Sequence, residues 1–167
     1  LDPRVGRILI AAQEQNCLRE ALIVASALTI QDPRERPEDK REAADQAHAK
    51  FRDKQSDFTG WLRIWHALQR NRKSNNSLRR FCRENFFNYR RTQEWINLHR
   101  ELRDICRDLR WKLPDQKLTD PEGTFLEPLH QAILAAIPSQ IGYHQGKKLG
   151  YKGARDSTFW LHPGSGS

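Results

Sequence analysis

The chain has 167 residues, 37% hydrophobic and 30% charged, enough for one domain with a core beneath a heavily solvated surface. No run of about 18 apolar residues exists, which excludes a transmembrane helix, and no N-terminal signal pattern is visible. The formal charge is +8, and residues 70–112 hold thirteen Lys and Arg against five Asp and Glu, so this one stretch carries the whole surplus.

Taken in chain order, Asp2 and Pro3 read as the N-cap and first residue of a helix, with Val5, Ile8, Leu9 and Ala12 at helical spacing. A second helix is expected from about Cys17 to Leu28; it is apolar nearly all round, so it belongs at the centre of the core. The prolines of Gln31–Pro37 impose an irregular loop. Pro37 then opens a polar, alanine-rich helix to about Phe51. Ser56 or Asp57 caps the next helix, whose Phe58, Trp61, Leu62, Trp65 and Leu68 form one apolar stripe. A loop over Arg72–Ser77 follows, then a short helix marked by Leu78, Phe81, Cys82 and Phe86.

Thr92 is expected to cap the longest helix, to about Leu113. Its Trp95, Leu98, Leu102, Ile105 and Leu109 make an apolar line, and Arg100, Arg103, Arg107 and Arg110 a second line roughly 150° away. The arginines are therefore expected to point away from the core, with Glu101, Asp104 and Asp108 between the lines. Pro114–Gly123 reads as a linker. Thr124–Glu127 is a capping box before a helix carrying Leu129, Ile133, Leu134 and Ile137. After Gly142, Tyr143, Tyr151, Phe159 and Trp160 alternate with glycines and suggest short strands. Lys147, Lys148, Lys152 and Arg155 lie among them. One hairpin is too little for a stable sheet, so a truncated β domain is expected. The start at Leu1, already helix-like, suggests a piece of something longer.

No GxxxxGK[ST] phosphate loop, GxGxxG fingerprint or GxSxG elbow occurs. Three cysteines without a CxxC pair read as buried thiols. The six histidines show no HExxH spacing. What remains is a mostly helical, basic binding module. The basic stretch is the electrostatic footprint of a polyanion partner; a solvated helical face is the plainer alternative. Asn88, Arg90 and Arg91 fall at a helix junction, where free backbone N–H groups and forked guanidiniums suit phosphate. Alternatively, Asn88 caps a turn and the arginines are solvated. Tyr89 reads as a core anchor before a base-stacking platform. Arg34 and Arg36 either meet phosphates or pair with Glu35, Glu38 and Asp39. A helical scaffold whose basic face meets an acidic protein is the competing function.

Several stretches, in order, resemble DEAH-box RNA helicases. Leu1–Leu9 (LDPRVGRIL) resembles the helix that enters their ratchet, or helicase-associated, domain. Cys17–Pro37 (CLREALIVASALTIQDPRERP) resembles the next helix and loop. His48–Phe51, Ser56–Phe58 with the Trp61–Leu68 helix, and Phe86–Arg91 with Glu94 and Trp95 are similar to the sections that follow. Gly153–Arg155 and Phe159–Pro163 look like the first hairpin of the family's oligonucleotide-binding (OB) domain. QDPRERP and YKGAR point to the bacterial HrpA-type branch.

The resemblance implies a mainly α fold: a ratchet-like helical bundle over residues 1–138, then a short β-hairpin over 139–167 from an incomplete OB-type domain. It implies a cytoplasmic, accessory RNA-contacting role in an ATP-dependent, 3′-to-5′ helicase. Its partners would be single-stranded RNA and the RecA-like and winged-helix domains of the same parent chain. ATP and Mg would sit in the motor domains, with no cofactor, catalytic residue or metal in these 167 residues, and this chain alone is expected to hydrolyse no ATP. RNA contacts are expected at Arg34, Arg36, Arg83, Asn88, Arg90, Arg91, Lys152 and Arg155.

Overall fold

A computed structural model describes residues 2–54, 56–113 and 126–136. Seven α-helices make up the fold among these residues: α1 (Pro3–Glu14), α2 (Leu18–Thr29), α3 (Arg41–Ala49), α4 (Asp57–Arg70), α5 (Asn75–Asn85), α6 (Tyr89–Asp108) and α7 (Leu126–Ala135), with a 3-10 turn at Glu38–Lys40 before α3.

Helix α1 begins as its first residues dictate. The Asp2 carboxylate accepts the Arg4 N–H at 2.8 Å, and Pro3 supplies the pre-set φ of a first helical residue. The helix ends where Asn16 turns left-handed, at φ 59°. Helix α2 is buried almost all round, Leu18 and Ala21 to Leu28 together, and packs against α1, α4, α6 and α7. It is the central rod that its composition requires. Its one buried hydroxyl, Ser26 Oγ, donates to the Leu22 and Ile23 carbonyls and accepts the Trp95 indole N–H at 3.0 Å. Ordered this way, a polar atom sits in the core without an unmet donor.

The stripe of α4 is buried as its spacing predicts: Phe58, Trp61, Leu62, Trp65 and Leu68 all face inward. Ser56 is the residue before the helix, but its side chain caps nothing; its Oγ lies 2.8 Å from His130 Nε2 of α7. Helix α7 packs along α1, with Leu129 and Ile133 fully buried.

Four local expectations need correction. The loop after α4 is shorter than Arg72–Ser77, because Ser74 and Ser77 cap each other reciprocally and α5 starts at Asn75. Phe86 does not extend the α5 stripe: it sits left-handed at φ 57° as the C-cap, and Phe87 takes the buried place. Thr92 is not a cap. Asn88 is, its Oδ1 accepting the Arg91 N–H at 2.9 Å; Thr92 lies inside α6 with its hydroxyl on the Asn88 carbonyl.

The apolar line of α6 is also rotated. Ile105 is 39% and Leu109 54% exposed, whereas Thr92, Trp95, Ile96, Leu102 and Cys106 are buried. The true inward face lies about a fifth of a turn towards Ile96, at 100° per residue. Consequently Arg103 does not point away from the core; it flanks the buried face and is partly covered. The expected linker, the Thr124–Glu127 cap, the C-terminal hairpin and the boundary at 138 all fall wholly or partly outside the described residues.

Candidate nucleic-acid interface

Sequence order separates the proline loop from the α5–α6 junction by some fifty residues, yet the two are laced together. Glu35 N–H donates to the Phe86 carbonyl at 2.8 Å and Asn88 N–H to the Pro33 carbonyl at 2.7 Å. These bonds make Arg34 and Phe87 an isolated antiparallel bridge. After the left-handed turn at Phe86, its carbonyl meets both the Glu35 N–H and His48 Nε2, the latter 3.0 Å away. Beneath, Phe87 stacks on His48 at 5.4 Å and on Phe81 at 5.8 Å. Burial is the main cause of a lowered His48 pKa, so the ring is neutral near pH 7 and its Nε2 can carry the proton donated to Phe86.

Two candidate arginines are held rigidly in this seam. Asp32 grips Arg34 with both oxygens, Oδ1 on Nε at 3.0 Å and Oδ2 on Nη2 at 2.6 Å, and Oδ1 also accepts the Arg34 backbone N–H. The guanidinium lies over the Trp61 ring at 4.6 Å, a cation–π contact. Asp2 and Arg4 make the same clamp, so Asp-Pro-Arg acts as a repeated local device, once at a helix start and once in a loop. Arg91 Nη1 donates to the Asp32 carbonyl at 3.2 Å. Arg34, Asn88 and Arg91 thus lie together, as parts of one scaffold.

The other candidates differ. Arg36 forks onto Asp45 of α3 at 2.8 and 2.9 Å, not onto Glu35, Glu38 or Asp39. That hydrogen bond to Arg36 is the chief reason the Asp45 carboxyl is held below its usual range. Arg90 projects into solvent, 88% exposed, with a loose contact to Glu94 at 3.6 Å. Arg83 is exposed on α5. Tyr89 is partly buried against the core beneath Arg79, whose guanidinium lies 4.3 Å from its ring centre; it is an anchor, as its sequence context suggested. Lys152 and Arg155 lie outside the described residues. Asp32, His48 and Lys50, whose Nζ donates to Asn85 Oδ1 at 2.8 Å, were not singled out from sequence. Only Asp32 left a readable signal, through its repeated tripeptide.

The cap role of Asn88 carries a measurable expectation. Asn88→Ala should cost about 1 kcal/mol of stability, read by urea denaturation. A loss within error would mean that the Arg91 N–H finds another acceptor.

The helicase associated domain (HA2), ratchet-like, matches residues 2–60. Over 168 aligned positions the chain is 40% identical to the ATP-dependent RNA helicase HrpA of Escherichia coli, covering 99% of this chain and 12% of that protein. The chain belongs with the HrpA-type DEAH-box RNA helicases. The HrpA homolog of Haemophilus influenzae is 36% identical over 167 positions, again 99% of this chain and 12% of that protein. A mouse protein described as a putative ATP-dependent RNA helicase is 30% identical over 110 positions, 65% of this chain and 8% of its own length. The chain therefore spans about an eighth of its HrpA-type relatives. Within it, Arg34 and Arg36 fall inside the matched ratchet-like region, and Arg83, Asn88, Arg90 and Arg91 beyond it. Among the described residues of this HrpA-type segment, no group of three or more His, Cys, Asp or Glu is placed to hold a metal, and no helix is long and apolar enough to cross a membrane.

Proposed function

We propose that this chain is an accessory RNA-contacting module of an ATP-dependent DEAH-box helicase, guiding single-stranded RNA past motor domains carried elsewhere in the same protein. Residues 1–138 form the ratchet-like body, and 139–167 open an OB-type domain. RecA-like and winged-helix domains are its covalent neighbours in the cytoplasm. ATP with its Mg belongs to the motor domains, which by resemblance run 3′ to 5′. The role of this chain is electrostatic and positional.

One observation carries the reading. Of the thirteen Lys and Arg in residues 70–112, only Arg90 and Arg107 have an ion pair among the described residues, each with an acid on its own helix. Elsewhere five of the eleven described Lys and Arg, namely Arg4, Arg34, Arg36, Arg41 and Arg63, are matched by Asp2, Asp32, Asp45, Glu38 and Asp53. A cationic surplus left unmatched on one stretch is what a strand of phosphates neutralises, releasing its own counterions. Arg83 and Arg90 are the solvent-facing groups that meet RNA at the junction. Arg34, Arg36, Asn88 and Arg91 order the loop and the junction beside them, and Lys152 and Arg155 are further RNA contacts in the same reading.

The test uses the full-length helicase carrying Arg83→Gln and Arg90→Gln. Binding of several unrelated single-stranded RNAs should weaken about equally, and the salt slope should fall by about 0.7 for each phosphate no longer neutralised. Affinity and slope both unchanged would remove the junction from the RNA path. Displacement of RNA by an acidic polypeptide at equal charge concentration would favour a protein-binding scaffold instead.

A further inference from the structure

Beyond the Trp65–His99 contact, where the rings lie 4.4 Å apart, the groove between α4 and α6 opens into a cleft of about 250 Å³. Trp65, Gln69, Arg72, His99, Arg100 and Arg103 line it. Three guanidiniums and an imidazole thus converge from two elements, with no carboxylate among the lining residues. None of the three arginines has an ion pair among the described residues; Asp104, next to Arg103 in sequence, lies instead 3.9 Å from Arg107. The Nε of Arg103 is fully buried and has no hydrogen-bond partner. A guanidinium N–H withdrawn from water without an acceptor is costly. Three like charges around one space add to that cost unless an anion occupies it.

We propose that this α4–α6 cleft is a second phosphate-binding site, in which Arg72, Arg100 and Arg103 take a backbone phosphate of single-stranded RNA. The inference rests on the reading of the chain as an RNA-contacting module. Phosphate is favoured over an acidic peptide because guanidinium forks match phosphate oxygens. The cleft also lacks an apolar anchor pocket of the kind that holds a peptide side chain: Trp65 is 5% and Ile96 6% exposed. His99 reports on the same space. Burial first, then the charges of Arg103, Arg72, Arg100 and Arg19, hold its pKa at about 4. An anion in the cleft stabilises the imidazolium and raises that value.

The experiment is nuclear magnetic resonance on the isotope-labelled full chain, titrated with a single-stranded uridine decamer, polyglutamate of equal length, and inorganic phosphate. The RNA is expected to shift the Arg103 Nε–Hε resonance and to raise the His99 pKa. Arg72→Gln with Arg100→Gln, both at exposed positions, should weaken RNA binding roughly tenfold and lower the salt slope by about 1.4. The Arg83→Gln, Arg90→Gln variant needs more RNA to saturate, but at saturation it should reach the same His99 pKa as wild type. RNA binding that depends on Arg83 and Arg90 but leaves Arg103 and His99 unmoved overturns the cleft site and leaves the proposed function standing. No RNA binding at all overturns both. A response to polyglutamate alone makes the cleft a peptide site, and a response to inorganic phosphate alone makes it a simple anion pocket; either result overturns the proposal.

Discussion

Trp95→Ala is expected to lower the unfolding free energy by about 3–5 kcal/mol, read from urea denaturation followed by circular dichroism. Trp95 is 0% exposed. Its ring meets Trp61 edge-on at 5.6 Å and Trp65 at 5.0 Å, so one truncation strips packing from α4 and α6 together. Its indole N–H donates to the Ile23 carbonyl at 3.2 Å and to Ser26 Oγ at 3.0 Å, which ties α6 to the central helix. Both acceptors keep other partners when the indole goes, because Ser26 Oγ still donates to Leu22 and Ile23. The loss is therefore chiefly one of volume. Trp95→Phe separates the two contributions: it retains most of the ring contact and should cost about 1–2 kcal/mol. Trp65→Ala, at 5% exposure, belongs in the same range as Trp95→Ala. A melt within a degree or two of wild type for either alanine variant would mean that the cluster does not hold α4 to α6.

Most of this core was legible because its periodicity is local. Leu18 to Leu28 is apolar nearly all round and became the buried rod; Phe58, Trp61, Trp65 and Leu68 recur at helical spacing and became the inner face of α4. Errors arose where two local solutions compete and a distant contact chooses. Asn88 and Thr92 are both good caps. Asn88 wins because the Pro33 carbonyl holds its N–H and the left-handed Phe86 turns the chain just before it. The inward face of α6 departs from its line of large apolar residues because Ile96, just off that line, and the small Thr92 and Cys106 are buried while Ile105 and Leu109 are not. That rotation decides the environment of Arg103. Of the candidate site, Arg34, Asn88 and Arg91 were legible as residue types suited to phosphate. Their meeting was not, since it depends on backbone bonds between segments far apart in sequence, and no periodicity encodes those.

Acid should destabilise the chain well before its carboxylates are protonated, and His99 is the main reason. Burial and the surrounding arginines move its pKa from 6.5 to about 4. Well above pH 6.5 the imidazole is neutral in the folded and unfolded chain alike, and stability does not depend on it. Between these two values the unfolded chain takes up a proton that the folded chain refuses, so stability falls as pH falls. For this single group the loss reaches about 2 kcal/mol by pH 5. His48, His66 and His130 are shifted in the same direction, each chiefly by burial, and add to the decline. Glu20 opposes it: burial raises its pKa, so the folded chain accepts that proton sooner than the unfolded one. Urea denaturation at pH 7, 6 and 5 in a chloride buffer measures the sum, and His99→Gln isolates the share of His99. The variant should lose less stability than wild type between pH 7 and 5, by roughly 2 kcal/mol. Equal losses in the two proteins would show that the imidazole protonates freely in the folded state and is more hydrated than its burial implies. The buffer anion matters, because phosphate seated among Arg72, Arg100 and Arg103 would raise the folded-state pKa of His99 and flatten the same curve.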